Sequence, residues 1–233
     1  MNIDKINELI TKVSDRVNEY GLVDPAITAI ETFNPEWVLI LEPLKTLYKS
    51  ANQIKLQYML RGLCNGLDEE RKMNDLYNYV NNKERAFYVS ECVQKILLSN
   101  SPVVCCIMGI MLSDLTQRDE DIDQIDAILL NALSSFTDED IRNFRDIVSG
   151  KYKQPDLGEE FISTEMFPTN KKTSYVLTAD LCTQSRILKS DAATDGKGAL
   201  YLGMIKTTVV SERLSNYVYR AWRQLNYGID NDN

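Results

Sequence analysis

The chain has 233 residues, of which 44% are hydrophobic and 26% are charged, and its formal net charge is −8. This composition is typical of a globular protein that buries a core without metal or disulfide, and it excludes the disordered and fibrous classes. The sequence contains no histidine, which excludes Ser-His-Asp and Cys-His catalysis, histidine-ligated metal sites and histidine pH switches within this chain.

A first helix is predicted by apolar residues at steps of three and four, ending at Gly21: Ile3, Ile6, Ile10, Val13, Val17 and Tyr20. A helix with so short an apolar face more often packs against its own domain, and this is the favoured interpretation. The same face would also suit pairing of two chains. A homodimer through residues 3–20 is therefore the alternative. The segment is amphipathic and lacks the apolar core of a secretory signal, so we expect a cytoplasmic protein.

Helices are also predicted to start at Asp24-Pro25 and Asn34-Pro35, and six more follow at about 52–64, 69–80, 84–98, 102–115, 120–134 and 138–149. Their N-cap signals are Asp68, Ser101 before Pro102, and Thr137 with Asp140, and Gly150 is a C-cap signal. The short connections predict an antiparallel helical bundle or stacked helical hairpins. Residues 1–150 form the predicted acidic helical domain.

The longest apolar run covers residues 103–112, about half of the length that crosses a bilayer, so we predict a buried helix and no membrane span. The five cysteines are odd in number and lie in apolar surroundings, which predicts buried free thiols: Cys64, Cys92, Cys105, Cys106 and Cys182.

Residues 151–172 contain two prolines and a glycine without a sustained period, which predicts a linker. Residues 173–228 then form a small basic α+β unit, predicted to be winged-helix-like, and residues 229–233 form a tail. Within this unit Leu177, Leu181 and Leu188 suit a helix, residues 191–198 a glycine-containing loop, and Leu214 to Leu225 a last helix. Leu200, Leu202 and Met204 alternate as in a strand, although an apolar stretch of helix is the alternative. The predicted fold class is thus mainly α with this C-terminal unit.

Tests for catalytic and metal motifs fail. The acidic run from Asp119 to Asp126 begins like a calcium loop, but Gln124 and Leu130 stand where that loop needs glycine and glutamate. We interpret the run as acidic residues at a helix N-terminus. Gly196-Lys-Gly198 lacks the Ser/Thr of a phosphate-binding loop. We therefore assign no catalytic residue, cofactor or metal.

Charge separates the two predicted parts. Residues 1–170 contain 17 Lys/Arg against 28 Asp/Glu, whereas residues 171–225 contain 9 against 4. A helical projection places Arg213, Asn216, Arg220 and Arg223 together on the last helix, and Lys206 lies nearby in sequence. These five residues are the candidate contacts for phosphate or for an acidic protein partner. An ordinary solvated helix face explains the same pattern and is the favoured interpretation.

The organisation of this chain resembles that of other proteins in one pattern, which is two helices joined by a capping box. The residues that form this pattern are Ala127, Leu130, Leu133, Asp140, Ile141, Phe144 and Ile147. With the winged-helix-like tail from Tyr175 to Trp222, the layout resembles uncharacterised helical proteins of bacteria and their phages, over about residues 52–222. Some of those proteins are linked to abortive infection and have a membrane-associated segment, which this chain lacks. The resemblance implies no catalytic residue.

The leading hypothesis is a non-enzymatic protein-interaction or regulatory module, because helical arrays offer binding faces and each catalytic motif tested is absent. Its partner is predicted to be a protein. The alternative is a nucleic-acid-binding regulator that uses the basic C-terminal unit. A third hypothesis is that the basic face docks onto the acidic helices at 114–146 of the same or a neighbouring chain.

Overall fold

The computed structural model describes residue 16 and residues 54–64, 69–153, 157, 161–194 and 200–225. Most of these residues are helical, so the predicted mainly α class is confirmed, and three strands form one small antiparallel sheet. Of the predicted helix at 3–20, only Arg16 is described, and it is helical. The predicted homodimer seam, the helix starts at residues 24 and 34 and the tail lie outside the described residues.

Contacts divide the chain into two compact units, Met1–Ile122 and Asp123–Asn233. This division falls within the acidic run, whereas the sequence suggested a domain boundary at residue 150. The predicted boundaries, the winged-helix-like form and the bundle arrangement stay predictions.

The first unit contains four described helices: α1 at 54–64, α2 Glu69–Tyr79, α3 Lys83–Leu98 and α4 Pro102–Arg118. As predicted, Ser101 caps α4 ahead of Pro102, and its side chain accepts a hydrogen bond from the Val104 amide at 3.0 Å. Asp119 ends α4 in the left-handed conformation, with φ of 50°. Within the described residues, no helix is long and apolar enough to cross a membrane.

Helix α4 is buried along most of its length, and it crosses α1 at close range through two glycines. A Cβ atom added to Gly109 would overlap the carbonyl oxygen of Met59 on α1, and one added to Gly62 would overlap that of Cys106 on α4. Backbone therefore lies directly on backbone at this crossing, which only glycine permits.

The loop after α4 is held by Arg85 of α3. Its side chain, 9% exposed, bonds the Asp119 carboxylate at 2.6 Å and the Asp121 carboxylate at 3.1 Å. The guanidinium also lies 4.5 Å from the ring centre of Tyr79. These contacts fix where the chain leaves α4.

The second unit contains α5 Gln124–Leu133, α6 Asp138–Val148, strand β1 Phe161–Ser163, a short 3-10 helix Thr164–Met166, α7 Lys172–Gln184, β2 Lys189–Thr194, β3 Leu200–Lys206 and α8 Val209–Leu225. Capping boxes start both α5, with Asp123 and Asp126, and α6, with Thr137 and Asp140. The second box was predicted, and the first places the start of α5 later than the predicted residue 120.

The sheet has the strand order β1-β3-β2, with both pairs antiparallel. Only β3 was predicted. The segment predicted as a linker contains β1. The helix that was predicted to include Leu188 ends at Gln184, and β2 extends into the segment 191–198 that was predicted as a loop. β1 has only three residues and β2 is largely polar, and each is held by pairing with β3, for example Ile162 with Ile205. Such pairing leaves no local period in the sequence.

Candidate interaction surface

Helix α8 is fixed in the second unit by its cap and by one apolar face. Thr208 caps it, accepting a hydrogen bond from the Ser211 amide at 3.2 Å and donating one to the Ile187 carbonyl at 2.5 Å. The buried face packs against α5 and α6 and contains Val210, Leu214, Tyr217, Val218 and Ala221. These anchors determine which side chains of α8 reach solvent.

Arg213, the first candidate residue on α8, is bound inside the unit. Its guanidinium lies 2.7 Å from the Asp123 carboxylate and 3.2 Å from that of Asp126. Partial burial acts to raise the pKa of Asp123, but hydrogen bonds from the Asp126 amide and from Arg213 outweigh it and hold the pKa below its ordinary value. Arg213 therefore ties α8 to the start of α5.

The other four candidates lie on two elements, β3 and α8. Lys206 lies on β3, its ammonium 5.1 Å from the ring centre of Phe161. On α8, Asn216 and Arg223 are exposed and Arg220 is half-buried. The Arg220 guanidinium lies 6.0 Å from the ring centre of Tyr217, and that of Arg223 lies 5.9 Å from Tyr219. Arg213 is thus bound within its unit, and the grouping of the five residues into one contact surface stays a prediction.

The exposed face of α8 begins with Val209, which is 63% exposed, and continues with four side chains that we call the α8 stripe: Glu212, Asn216, Tyr219 and Arg223. At about 100° per residue these positions fall within about 60° of one another, opposite the buried face. Tyr219 is 62% exposed. The sequence-based candidates on this helix were chosen by positive charge and polarity, so they did not include Glu212 or Tyr219. The spacing of the four stripe positions, with steps of four, three and four residues, was a signal that could have grouped them.

The cysteine thiols lie in the core. All five cysteines are buried free thiols, as predicted. Burial raises the pKa of the Cys106 thiol to about 12, which disfavours the nucleophilic thiolate. No group of three or more Cys, Asp or Glu side chains suited to a metal ion occurs in the part of the chain that the structure describes.

Helices α6 and α7 share a polar network that is also structural. The Asn143 amide donates to Ser174 Oγ at 2.7 Å and to Thr178 Oγ1 at 3.1 Å, and Thr178 donates to the Asp140 carboxylate at 3.0 Å. The Tyr175 hydroxyl donates to the Asp146 carboxylate at 2.9 Å. Burial, and to a smaller extent this hydrogen bond, raise the pKa of the Tyr175 hydroxyl. These hydrogen bonds join α6 to α7 within the second unit.

Comparison with protein-family models, with characterised proteins and with solved structures finds no match to this chain. The resemblance in organisation to bacterial and phage proteins therefore stays a prediction.

Proposed function

We propose that this chain is a non-enzymatic protein-interaction module, with a regulatory role, that contacts another protein through the α8 stripe. The observation that carries the proposal is Tyr219, a large aromatic side chain 62% exposed on a helix whose opposite face is firmly buried. Tyr and Arg are the residue types enriched at the energetic centres of protein interfaces. Arg223, beside Tyr219, supplies the donors that bind a carboxylate of the partner.

Two features of α8 favour a protein partner over nucleic acid. Arg213 already binds two carboxylates of its own unit, so it is not a free phosphate contact. Glu212 lies on the exposed stripe itself, where it would repel a phosphate backbone. A stripe of mixed charge fits the polar rim of a protein interface better.

Site-specific photo-crosslinking tests this proposal. A photoreactive phenylalanine analogue at position 219 should crosslink a partner protein in the cells that make this chain. The matched control position is Leu177 on α7, which is 64% exposed. We expect crosslinks from 219 that are absent from 177 and that weaken when Arg223→Glu is added, because the partner's carboxylate is then repelled.

Equal crosslinking from both positions, or none from position 219, would overturn the proposal. Fluorescence polarisation with single- and double-stranded DNA at low and high salt addresses the nucleic-acid alternative. Salt-sensitive binding that Arg223→Glu abolishes would replace a protein partner with nucleic acid.

A further inference from the structure

The α8 stripe is complementary to itself when its direction is reversed. Its positions 212, 216, 219 and 223 are symmetric about a point between residues 217 and 218. Reversal sets Glu212 against Arg223 and Asn216 against Tyr219. The acidic end thereby meets the basic end, and a side-chain amide meets a phenol hydroxyl with which it forms a hydrogen bond.

We infer that a second copy of this chain is a partner of the α8 stripe, with the two helices antiparallel about a two-fold axis. Glu212 of each copy then faces the partner's Arg223, and Asn216 faces the partner's Tyr219. The inference rests on the proposed function, since it names a partner for the same surface. A two-fold interface of this kind uses one patch twice and closes after two copies.

The spacing of the stripe suits helix-on-helix packing. Alternating steps of four and three residues keep side chains on one seam, as in paired helices. The stripe runs from residue 212 to residue 223, about 16 Å along the helix axis, which accommodates four layers of facing side chains. In the antiparallel direction these layers are two Glu–Arg pairs at the ends and two Asn–Tyr pairs between them.

Charge selects the antiparallel direction. Parallel helices would set Glu212 against its own copy and Arg223 against its own copy, which like charges disfavour. Within the described residues, no ion pair involves either Glu212 or Arg223. Both side chains are exposed, so each can meet a charge from outside the chain.

The contact is small, because it uses one face of one helix, and exposed ion pairs each contribute little. We therefore expect a reversible dimer that forms only at high protein concentration and weakens with salt. Sedimentation velocity of the full chain from about 10 µM to about 1 mM covers the range in which such weak association is measured.

Charge reversal tests the pairing. Glu212→Arg sets Arg against Arg at both ends of the pair, and Arg223→Glu sets Glu against Glu, so each variant should lower the association constant about tenfold or more. An equimolar mixture of the two variants should restore association, since each Arg then faces a Glu. The double variant Glu212→Arg/Arg223→Glu should also restore it.

Matched controls are Asp180→Arg on α7 and Arg142→Glu on α6, which make the same charge changes at exposed positions outside the stripe. Both should associate like the wild type, and circular dichroism should show that every variant is folded. A wild type that remains monomeric throughout the range would overturn the inference. The inference would also be overturned if the single charge-reversal variants associated as strongly as the wild type. It would likewise be overturned if the mixture and the double variant did not recover association.

The two proposals fail in distinguishable ways. A monomeric purified chain whose position 219 still crosslinks a different protein in cells overturns self-pairing and leaves the proposed function standing. A monomeric chain with no crosslink from position 219 overturns both.

Discussion

Arginine side chains bind the acidic run that resembles a calcium loop. Asp119 and Asp121 bind Arg85 in the first unit, and Asp123 and Asp126 bind Arg213 in the second. Positive charges for these carboxylates thus come from the chain itself, and each pair anchors a helix end.

Replacing Arg213 with Met should lower the free energy of unfolding at neutral pH by about 1–3 kcal/mol. The physical reason is Asp126, whose side chain is 2% exposed and would lose its guanidinium partner. Chemical denaturation measures the change. The control Arg142→Met, at an exposed position on α6, should change stability by less than about 0.5 kcal/mol.

The cost of Arg213→Met should depend on pH. Because the folded-state pKa of Asp123 is lowered, its ion pair stabilises the fold fully above the ordinary aspartate pKa of about 4. That contribution is lost as pH falls through the lower folded-state pKa. Denaturation at pH 7 and below about pH 3 should show the difference between variant and wild type shrinking in acid, and an unchanged difference would contradict this assignment.

At the scale of elements, helix ends were more predictable than helix contacts. Ser101 and the Thr137–Asp140 box act within one turn of chain, so their residue types reveal them. The crossing of α1 and α4 depends on Gly62 and Gly109, which are 47 positions apart in the sequence. Nothing in the local pattern around either glycine identifies the other.

Gly109→Ala should destabilise the first unit by about 1–3 kcal/mol or more, because the added methyl group must push α1 away from α4. Ser113→Ala, one turn further along α4, is the matched control. Its buried hydroxyl has no hydrogen-bond partner in the described structure, so its removal should be neutral or stabilising. Thermal denaturation of both variants compares them, and equal melting temperatures would contradict the close crossing.

At the scale of the whole molecule, each of the two units contains at least one buried thiol whose reactivity measures how well that unit protects it. Cys64, Cys92, Cys105 and Cys106 lie in the first unit and Cys182 lies in the second. Burial is the main cause of the raised pKa values of Cys92, Cys106 and Cys182.

Iodoacetamide at about pH 8 should therefore leave the native chain unmodified over a time in which it alkylates all five thiols of the denatured chain. Mass spectrometry along a denaturant series should resolve loss of protection at Cys182 from loss at the other four thiols. Rapid alkylation of any thiol under native conditions would show that the buried environment assigned to it is wrong.

The sequence by itself determined the helical class, most helix positions between residues 54 and 148, the caps at Ser101 and Thr137, the buried thiols and strand β3. Each of these follows from periodicity or residue type over a few turns, where local forces dominate. Tertiary structure decided the strands β1 and β2, the glycine crossing and the carboxylate partners of Arg213. These depend on residues far apart in the chain. Long-range packing decides whether a charged side chain such as Arg213 meets solvent or an internal carboxylate.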